Sequence, residues 1–370
     1  MSTPLCPYFN KCGGCSAQHI DYELQLENKK KLVQRITQVT DVKVFSDQPY
    51  SYRNRMDFIF YPGGLGLRTQ GTKFQIIDIE QCVISQPSLN TLLQEVRKFF
   101  QPKDIFDNKK HKSTFHSVII RTTSVGDSGI FFLLNENSQL EHAIEKIKLF
   151  AKHTTAKNIA LTTTSPNNIP NISEETLLIK GNPYLQEKLL EKTFHFPLQS
   201  FFQNNTIVAQ HMQQYIHTIL QSYPTQQAHL LDLYAGVGTF GIINSSLFKS
   251  TSIIESYPAA IELATINLQL NNITNSQTHV LDAKHLSRLS FPKPLYIILD
   301  PPRIGMDQKT IHTLNALKPE LIIYISCNPE QLEKDLSKFP NYGLKSAALF
   351  DLFPQTNHAE VIVELVKKRT

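Results

Sequence analysis

The segment AHLLDLYAGVGTFG, residues 228–241, joins an apolar strand to a glycine-rich turn and decides the fold of the second half of the chain. Further apolar runs are separated by stretches with helical patterns: STSIIES at 250–256, THVLDA at 278–283, PLYIILD at 294–300, ELIIYIS at 320–326 and HAEVIVELV at 358–366. Apolar strands that alternate with helices are typical of a parallel sheet covered on both faces. The sequence therefore predicts an α/β domain over residues 196–370.

The first half of the chain has a different pattern. A charged, periodic stretch predicts a helix that begins at Asp21, and apolar runs between turn residues predict strands. The predicted strands are 52–59, 73–79, 117–122, 129–134 and 158–164, with a turn at 63–66 and a second helix at 140–153. We therefore predict a smaller α+β domain over residues 1–195, with a helix within 21–45 that packs on the α/β domain.

The chain carries 37 basic and 32 acidic residues, a formal net charge of +5. This mild excess is compatible with nucleic-acid binding but does not by itself indicate it. Basic residues cluster at 29–31, at Arg53 and Arg55, and at 109–112, and such clusters are usually solvated faces. No apolar run reaches the ~18 residues of a membrane helix, and no secretory signal is evident. We expect a cytoplasmic monomer without membrane contact.

The five cysteines divide into four and one. Cys6, Cys12 and Cys15 crowd into the first fifteen residues, Cys82 follows later, and Cys327 stands alone far downstream. An odd number in a cytosolic chain argues against a disulfide framework, and the tight spacing predicts a metal site. Four thiolates suit either Zn²⁺ or a [4Fe–4S] cluster, and the spacing does not choose between them.

The glycine turn predicts a ligand site. Gly236, Gly238 and Gly241 satisfy the pattern G-x-G-x-x-G, in which glycine lets the backbone approach a ligand closely. Glu255 ends the next predicted strand, where a carboxylate can accept hydrogen bonds from two ribose hydroxyls. NAD and S-adenosylmethionine both carry such a ribose, so these residues alone do not separate a dehydrogenase from a methyltransferase.

Two further motifs follow strands that end at the same predicted edge. Asp300-Pro-Pro-Arg303 follows one strand, and Cys327 follows the next. A lone cysteine after an apolar strand is usually a core residue, but its place beside other crevice motifs favours a nucleophile. A helix that begins near Pro329 would lower the pKa of the thiol. Glu360 precedes the last predicted strand and is a candidate general base.

Eight motifs in this order together resemble the family of RNA 5-methyluridine methyltransferases. They are CPYFNKCGGC (6–15), YRNR (52–55), DIEQC (78–82), SFFQNN (200–205), DLYAGVGTFG (232–241), DPPR (300–303), YISCNP (324–329) and FPQTNHAE (353–360). Ala235 departs from the family pattern, in which a cysteine is common. Many relatives begin with a small RNA-binding β-barrel, whereas this chain starts almost at the cysteines. It therefore resembles the short, iron–sulfur-containing 23S rRNA (uracil-5)-methyltransferases.

The resemblance implies a class I Rossmann-like methyltransferase domain with a mixed, mostly parallel sheet of seven strands, preceded by an iron–sulfur and RNA-binding region. It also implies S-adenosylmethionine as the methyl donor. The residues implied to hold this cofactor are Gln203, Tyr234, Glu255, Asp300, Gly236 and Gly238. For the metal site, the resemblance favours a [4Fe–4S] cluster over zinc, with Cys6, Cys12, Cys15 and Cys82 as its ligands.

The resemblance also assigns roles in catalysis. Cys327 is the implied nucleophile that adds to C6 of uracil, and Glu360 is the implied base that removes the proton from C5. Phe201 is implied to stack on a flipped-out uracil, and Asp300 to face the edge of that base. The implied partner is RNA, with 23S rRNA as the main expectation and the TΨC loop of tRNA as the alternative.

Three other classes of protein compete with this interpretation. A cytosine-5 RNA methyltransferase usually has a cysteine in the Asp-Pro-Pro region, and residues 300–303 contain none. A nicotinamide oxidoreductase would use the glycine turn but leaves Cys327 and Glu360 unexplained. An RNA-binding iron–sulfur protein without catalysis predicts that substitution of Cys327 changes nothing.

Overall fold

A computed structural model describes residues 2–72, 74–102, 106–107, 112–136, 139–164 and 176–368. Among these residues the helices are α1 (Tyr22–Thr37), α2 (Pro87–Phe99), α3 (Leu140–Ala151), α4 (Thr206–Gln221), α5 (Thr239–Asn244), α6 (Pro258–Leu270), α7 (Gln308–Leu317) and α8 (Pro329–Leu336). Short 3₁₀ turns lie at Ser245–Leu247 and Ala283–Arg288. Within the same residues, no helix is both long enough and apolar enough to cross a lipid bilayer.

The strands of the described residues are β1 (Lys43–Phe45), β2 (Arg55–Tyr61), β3 (Gly64–Arg68), β4 (Ile76–Asp78), β5 (Phe106–Asp107), β6 (Lys112–Ser113), β7 (Phe115–Thr122), β8 (Ser128–Asn135), β9 (Asn158–Thr164), β10 (Leu177–Lys180), β11 (Tyr184–Leu189), β12 (Lys192–Pro197), β13 (His229–Leu233), β14 (Ser250–Glu255), β15 (Ser276–Val280), β16 (Leu295–Leu299), β17 (Leu321–Ser326), β18 (Tyr342–Phe350) and β19 (Glu360–Lys367). Lys109 and Lys110 of the predicted basic cluster, and Lys73 at the start of a predicted strand, lie outside the described residues.

The chain divides into two compact units, each built from three segments. Unit 1 comprises Met1–Asp21, Gln48–Glu187 and Phe196–Thr206. Unit 2 comprises Tyr22–Asp47, Lys188–His195 and Ile207–Thr370. The chain crosses between the units within the pair of strands β11 and β12 and again at the first turn of α4.

Unit 2 contains an eight-stranded sheet in the order β1-β18-β19-β17-β16-β13-β14-β15. Strands β13 to β17 run parallel to their neighbours in this set, and β19 is antiparallel to both β17 and β18. The central strands are buried on both faces, as their unbroken apolar sequences require. The predicted α/β domain with a mixed, mostly parallel sheet is confirmed.

The sheet of unit 2 has one strand more than the predicted seven. The additional strand is β1, only three residues long, which pairs in parallel with β18. A strand this short leaves no periodic signal in the sequence. The register of β18 shifts between Leu344 and Ser346, and this irregularity interrupts the alternation that would have located the strand from sequence.

Helix α1 belongs to unit 2, where it packs against β18 and α8. Lys29 is buried, and its Nζ lies 2.6 Å from a carboxylate oxygen of the buried Asp351. The Tyr22 hydroxyl donates to the other oxygen of Asp351 at 2.8 Å. The expectation of a solvated basic face at residues 29–31 is therefore wrong for Lys29, because its ammonium neutralises a carboxylate that lies out of contact with water.

Unit 1 contains a seven-stranded sheet in the order β10-β9-β8-β7-β2-β3-β4. Its pairs are antiparallel except for β8 with β9. Helices α2 and α3 contribute apolar side chains to a core with a cluster of phenylalanines, among them Phe60, Phe100 and Phe132. The predicted turn at 63–66 holds the start of β3, because Gly66 pairs with Ile59 in a hairpin.

Candidate active site

Four strands of unit 2 end beside one another at one edge of the sheet. Leu233, the last residue of β13, lies opposite Ile254 of β14 and Leu299 of β16. Because parallel strands in register end together, the residues at or just beyond these ends share the edge. Taken across the sheet, these residues are Cys327, Asp300, Tyr234 and Glu255. The structure thus brings together four residues that the sequence assigned to one site.

The glycine turn adopts a conformation that requires glycine. Tyr234, Gly236 and Gly238 have positive φ angles of 62°, 54° and 83°. The backbone N–H of Gly241 donates to Asp232 at 2.7 Å, and a Cβ at Gly241 would lie 2.9 Å from that carboxylate. Burial raises the pKa of Asp232 to about 7, while the bond from Gly241 opposes this rise. The bond to Asp232 therefore fixes the turn, and the space beside Gly236 is open to a ligand.

Glu255 is held at the edge of the sheet by backbone amides. Its Oε2 accepts from Gly236 at 3.2 Å, and its Oε1 accepts from Ser256 at 2.6 Å and from Tyr257 at 3.0 Å. These bonds orient the carboxylate beside the glycine turn. Its proposed bonds to ribose hydroxyls stay a prediction.

Asp300, Cys327 and Glu360 form one electrostatic group. Burial raises the pKa of Asp300 to about 7. Burial, and next the charge of Asp300, raise the pKa of Glu360 well above its usual value. Burial, followed by the charges of Glu360 and Asp300, raises the pKa of the Cys327 thiol to about 12. The three groups therefore disfavour negative charge on one another, and burial adds to this effect at each of them.

The predicted lowering of the thiol pKa is wrong for this arrangement. Helix α8 does begin at Pro329, two residues after Cys327, as predicted. The helix terminus is outweighed because the thiol is desolvated and faces two carboxylates. Arg303 is the group that opposes this rise, since its charge lowers the pKa of both Cys327 and Glu360.

The loop that carries Arg303 is held on both sides. The side-chain amide of Asn328 donates to the Arg303 carbonyl at 2.9 Å. A guanidinium nitrogen of Arg303 lies 3.3 Å from Nδ1 of His358, which precedes Glu360 by two residues. Gly305 has a φ of 82°, and a Cβ there would lie 2.5 Å from the side chain of Gln331. This loop therefore keeps Arg303 near the group formed by Asp300, Cys327 and Glu360.

Helix α1 supports the segment that leads to Glu360. Gln25 and Gln355 form reciprocal bonds: the Gln25 amide donates to Oε1 of Gln355 at 3.0 Å, and the backbone N–H of Gln355 donates to Oε1 of Gln25 at 3.1 Å. Lys29 also donates to the carbonyl of Phe353 at 3.2 Å. These bonds hold the irregular segment before β19, and so help to fix the position of Glu360.

Asp282 is a candidate site residue that the sequence interpretation missed. It lies two residues after the end of β15, the strand that pairs with β14 of Glu255. Burial is the main cause of the raised pKa of Tyr234, and the charge of Asp282 adds to it. The signal was present, because the predicted run THVLDA carries an acid, Asp282, near its end and so at the same edge as the ends of the other strands. The motif was read only as a strand.

The four cysteines assigned to a metal site all lie in unit 1 and line one cavity of about 870 Å³. Burial raises the pKa of Cys6 and Cys12, and raises that of Cys15 to about 12. The charge of Cys82 adds to the rise at each of these three thiols. The structure therefore places Cys82 near the three N-terminal cysteines, although more than sixty residues of sequence separate them.

The thiols also receive hydrogen bonds from nearby groups. The backbone N–H of Gly14 donates to Sγ of Cys12 at 3.4 Å, and backbone amides of Tyr8 and Phe9 lower the pKa of Cys6. Such bonds stabilise thiolate charge. In the part of the chain that the structure describes, no group of three or more His, Cys, Asp or Glu side chains is arranged to hold a metal ion.

Phe201 and Gln203 lie in unit 1, on a segment without helix or strand that precedes α4. Phe201 is 67% exposed and lines the same cavity as the cysteines, whereas its neighbour Phe202 is buried. The ring of Phe202 stacks on that of Phe196 with a centroid distance of 4.1 Å. Phe202 therefore packs in the core, whereas Phe201 does not. The contact of Gln203 with a cofactor stays a prediction.

The sheet order, the glycine turn and the acid at the end of β14 define a class I S-adenosylmethionine-dependent methyltransferase fold. A family model described as tRNA (uracil-5-)-methyltransferase matches residues 21–368. The chain belongs to this family.

Relatives in this family are similar along most of their length. A tRNA (uracil(54)-C(5))-methyltransferase from Pyrococcus abyssi is 27% identical over 98% of this chain and 86% of its own. An uncharacterized RNA methyltransferase from Bacillus cereus is 30% identical over 97% of this chain and 82% of its own. The crystal structure of the P. abyssi enzyme in complex with S-adenosyl-L-homocysteine has a TM-score of 0.80 at 25% identity, covering 95% of this chain and 86% of that one. The protein is an S-adenosylmethionine-dependent RNA (uracil-5)-methyltransferase.

Proposed function

We propose that this enzyme methylates C5 of a uridine in the TΨC loop of tRNA. The observation that carries the proposal is the likeness to the P. abyssi enzyme, whose name specifies uracil 54 of tRNA. A relative from Pyrococcus horikoshii with the same name is 27% identical over 99% of this chain. The expectation of 23S rRNA finds no support among these relatives, so the tRNA alternative takes its place.

Cys327 begins the reaction in this proposal. Its thiolate adds to C6 of uracil, and the electron pair of the C5–C6 double bond moves to C5 and O4 as an enolate. Bound S-adenosylmethionine supplies a methyl group that its sulfonium makes electrophilic. The enolate carbon C5 takes this methyl group, and the electron pair of the broken carbon–sulfur bond stays on the sulfur.

Glu360 completes the reaction. Its carboxylate takes the proton from C5, the electron pair of that C–H bond re-forms the C5–C6 double bond, and the bond from C6 to Cys327 breaks to return the thiolate. A carboxyl whose pKa is raised by burial is a stronger base than an exposed glutamate. Asp300 is the proposed partner of the uracil edge, since its carboxyl has a raised pKa and can donate a proton to a base oxygen.

Phe201 and the cavity in unit 1 are the proposed contacts to RNA. An exposed aromatic ring offers a stacking surface to a base that has left the helix. Arg53 and Arg68 line the same cavity, and their charges suit phosphate groups beside the target, whereas Arg55 in the same lining pairs with Asp57. The cofactor residues remain those that the sequence assigned, with Tyr234, Glu255 and the glycine turn at the sheet edge.

Methyl transfer to defined RNAs tests the target. The purified enzyme is supplied with methyl-labelled S-adenosylmethionine and either a tRNA transcript, the same tRNA with the TΨC-loop uridine changed to cytidine, or 23S rRNA fragments. We expect label in the first tRNA and at least a 100-fold lower rate in the cytidine version. A 23S fragment that is methylated with a higher kcat/KM than the tRNA would overturn the target but not the uracil-5 chemistry.

We also propose a [4Fe–4S] cluster held by Cys6, Cys12, Cys15 and Cys82. Four thiols are the donor set that such a cluster takes, and these four line one cavity. Such a cluster would cross-link the N-terminal segment to the residues before α2. No step of the proposed methyl transfer uses an electron, so its role is structural.

Metal analysis of anaerobically purified protein tests the cluster. We expect about four iron and about four sulfide per chain, and less than a tenth of this amount in Cys82→Ser. Cys327→Ser is the matched control, since it removes a thiol outside the ligand set and should keep the full iron content. Stoichiometric zinc without sulfide would contradict the cluster and support the zinc alternative.

A further inference from the structure

Arg121 is a buried cation at the carboxyl end of β7, with only 2% of its surface exposed. Its Nη1 donates to the carbonyl of Ser200 at 2.6 Å, and its Nη2 donates to the carbonyl of Phe202 at 3.0 Å. The guanidinium also lies over the ring of Phe196, 4.8 Å from its centroid. Burial of a guanidinium costs free energy, which the two carbonyls, the ring and the charges of Asp57 and Glu187 offset.

The segment that Arg121 binds, residues 200–204, is not stabilised by the hydrogen bonds of a helix or a strand. Residues 200–204 form neither helix nor strand, yet four of their carbonyl oxygens accept bonds from groups elsewhere in unit 1. Arg55 adds a second bond to Ser200 at 3.0 Å. Asn54 binds the other two carbonyls: its side chain donates to Gln203 at 3.1 Å, and its backbone N–H donates to Asn204 at 3.0 Å. Three side chains and one backbone N–H thus supply the hydrogen bonds that a helix or a sheet would otherwise give this backbone.

The two bonds from Arg121 bracket a single residue. They end on the carbonyls of Ser200 and Phe202, the residues before and after Phe201, while the bonds from Asn54 lie beyond it. The ring of Phe202 stacks on the ring of Phe196, and the guanidinium of Arg121 also lies over the ring of Phe196. Because the residues on both sides of Phe201 are held in this way, the exposed ring of Phe201 projects from a fixed stretch of backbone.

We propose that Arg121 is a positioning residue that fixes the backbone around Phe201, so that this ring is presented to the target uracil as a rigid platform. The proposal rests on the proposed role of Phe201 in stacking. A pre-positioned aromatic ring binds a base without the entropy cost of ordering the loop at the time of contact. Arg121 acts only through Phe201 and touches no substrate.

A double-mutant cycle on tRNA methylation tests this coupling. Phe201→Ala should lower kcat/KM by about tenfold to 100-fold, the range of base stacking on an aromatic ring. Arg121→Met, which keeps much of the volume but loses both donors, should cause a loss of similar size. In the double variant the losses should not multiply, because the substituted residues act on one interaction. Arg121→Lys, which keeps the charge but not the paired donors, should not restore kcat/KM.

Two further measurements separate positioning from general stability. The dissociation constant for S-adenosylhomocysteine should stay within twofold of wild type in Arg121→Met. Arg97→Met is a control elsewhere in unit 1, since Arg97 also donates to two backbone carbonyls, those of Leu65 and Ile79, and pairs with Asp78, away from residues 200–204. It should lower the melting temperature without lowering kcat/KM on tRNA.

The outcomes distinguish this inference from the proposed function. The positioning role of Arg121 would be overturned if the losses multiply in the double variant, or if the affinity for S-adenosylhomocysteine falls as much as kcat/KM does. Neither result would contradict the proposed stacking of Phe201 on uracil. A wild-type kcat/KM in Phe201→Ala would instead contradict the stacking role of Phe201, and the role of Arg121 that depends on it.

Discussion

Cys327→Ala should reduce methyl transfer to RNA on the order of 10⁴-fold or more, as removal of a covalent nucleophile does in other enzymes. Uracil C5 has too little electron density to attack a methyl group until a nucleophile has added to C6. The measurement is single-turnover incorporation of labelled methyl groups into tRNA. Because the cysteine is only half-buried and its side chain is small, binding of S-adenosylhomocysteine should survive the substitution. A variant with a tenth of wild-type turnover would exclude Cys327 as the nucleophile.

The environment of Cys327 adds a second expectation from the same residue. Its pKa is raised to about 12 by burial and by Glu360 and Asp300, so in the protein without substrate the thiol stays protonated at neutral pH. Alkylation of the Cys327 peptide by iodoacetamide, followed by mass spectrometry, should therefore be slow at pH 7 and rise with pH. Arg303→Gln should slow it further, because Arg303 is the charge that lowers the thiol pKa. Rapid, pH-independent alkylation near pH 7 would contradict this account.

The sequence predicted the parts of the fold that depend on local pattern. The alternation of apolar runs and helices located β13, β14, β16, β17 and β19 within one or two residues. The ends of parallel strands then placed Tyr234, Glu255, Asp300 and Cys327 at one edge without any structure. These predictions succeeded because strand period and sheet topology are properties of short segments and their order.

Properties that depend on distant parts of the chain were not predictable in the same way. The thiol of Cys327 was expected to be acidified by the nearby helix, but desolvation and the charges of Asp300 and Glu360 dominate. Lys29 was grouped with solvated lysines because its partner, Asp351, is 322 residues away. The bonds of Arg121 to Ser200 and Phe202 span about eighty residues and have no sequence motif. Burial by distant parts of the chain, more than the local sequence pattern, therefore determines the pKa values and contacts of these residues.

Glu360→Gln should convert the enzyme into a form that traps its own intermediate. Loss of the carboxylate removes one of the two charges that oppose ionisation of Cys327, so addition to C6 and methylation of C5 should still occur. The amide cannot take the C5 proton, so elimination stops and the RNA stays attached to the protein. Turnover should fall by about 10²-fold to 10⁴-fold, the usual contribution of a general base.

Denaturing gels with end-labelled tRNA measure this adduct, and intact-mass analysis should find protein, RNA and one added methyl group. Glu364→Gln is the matched control, because Glu364 is a second buried acid on β19 whose bonds to Tyr223 and Ser346 lie away from the Cys327 group. It should form no stable adduct. The double variant Cys327→Ala with Glu360→Gln should also form none, since the carbon–sulfur bond needs the thiol. If Glu360→Gln instead released methylated tRNA at the wild-type rate, another group would have to remove the C5 proton.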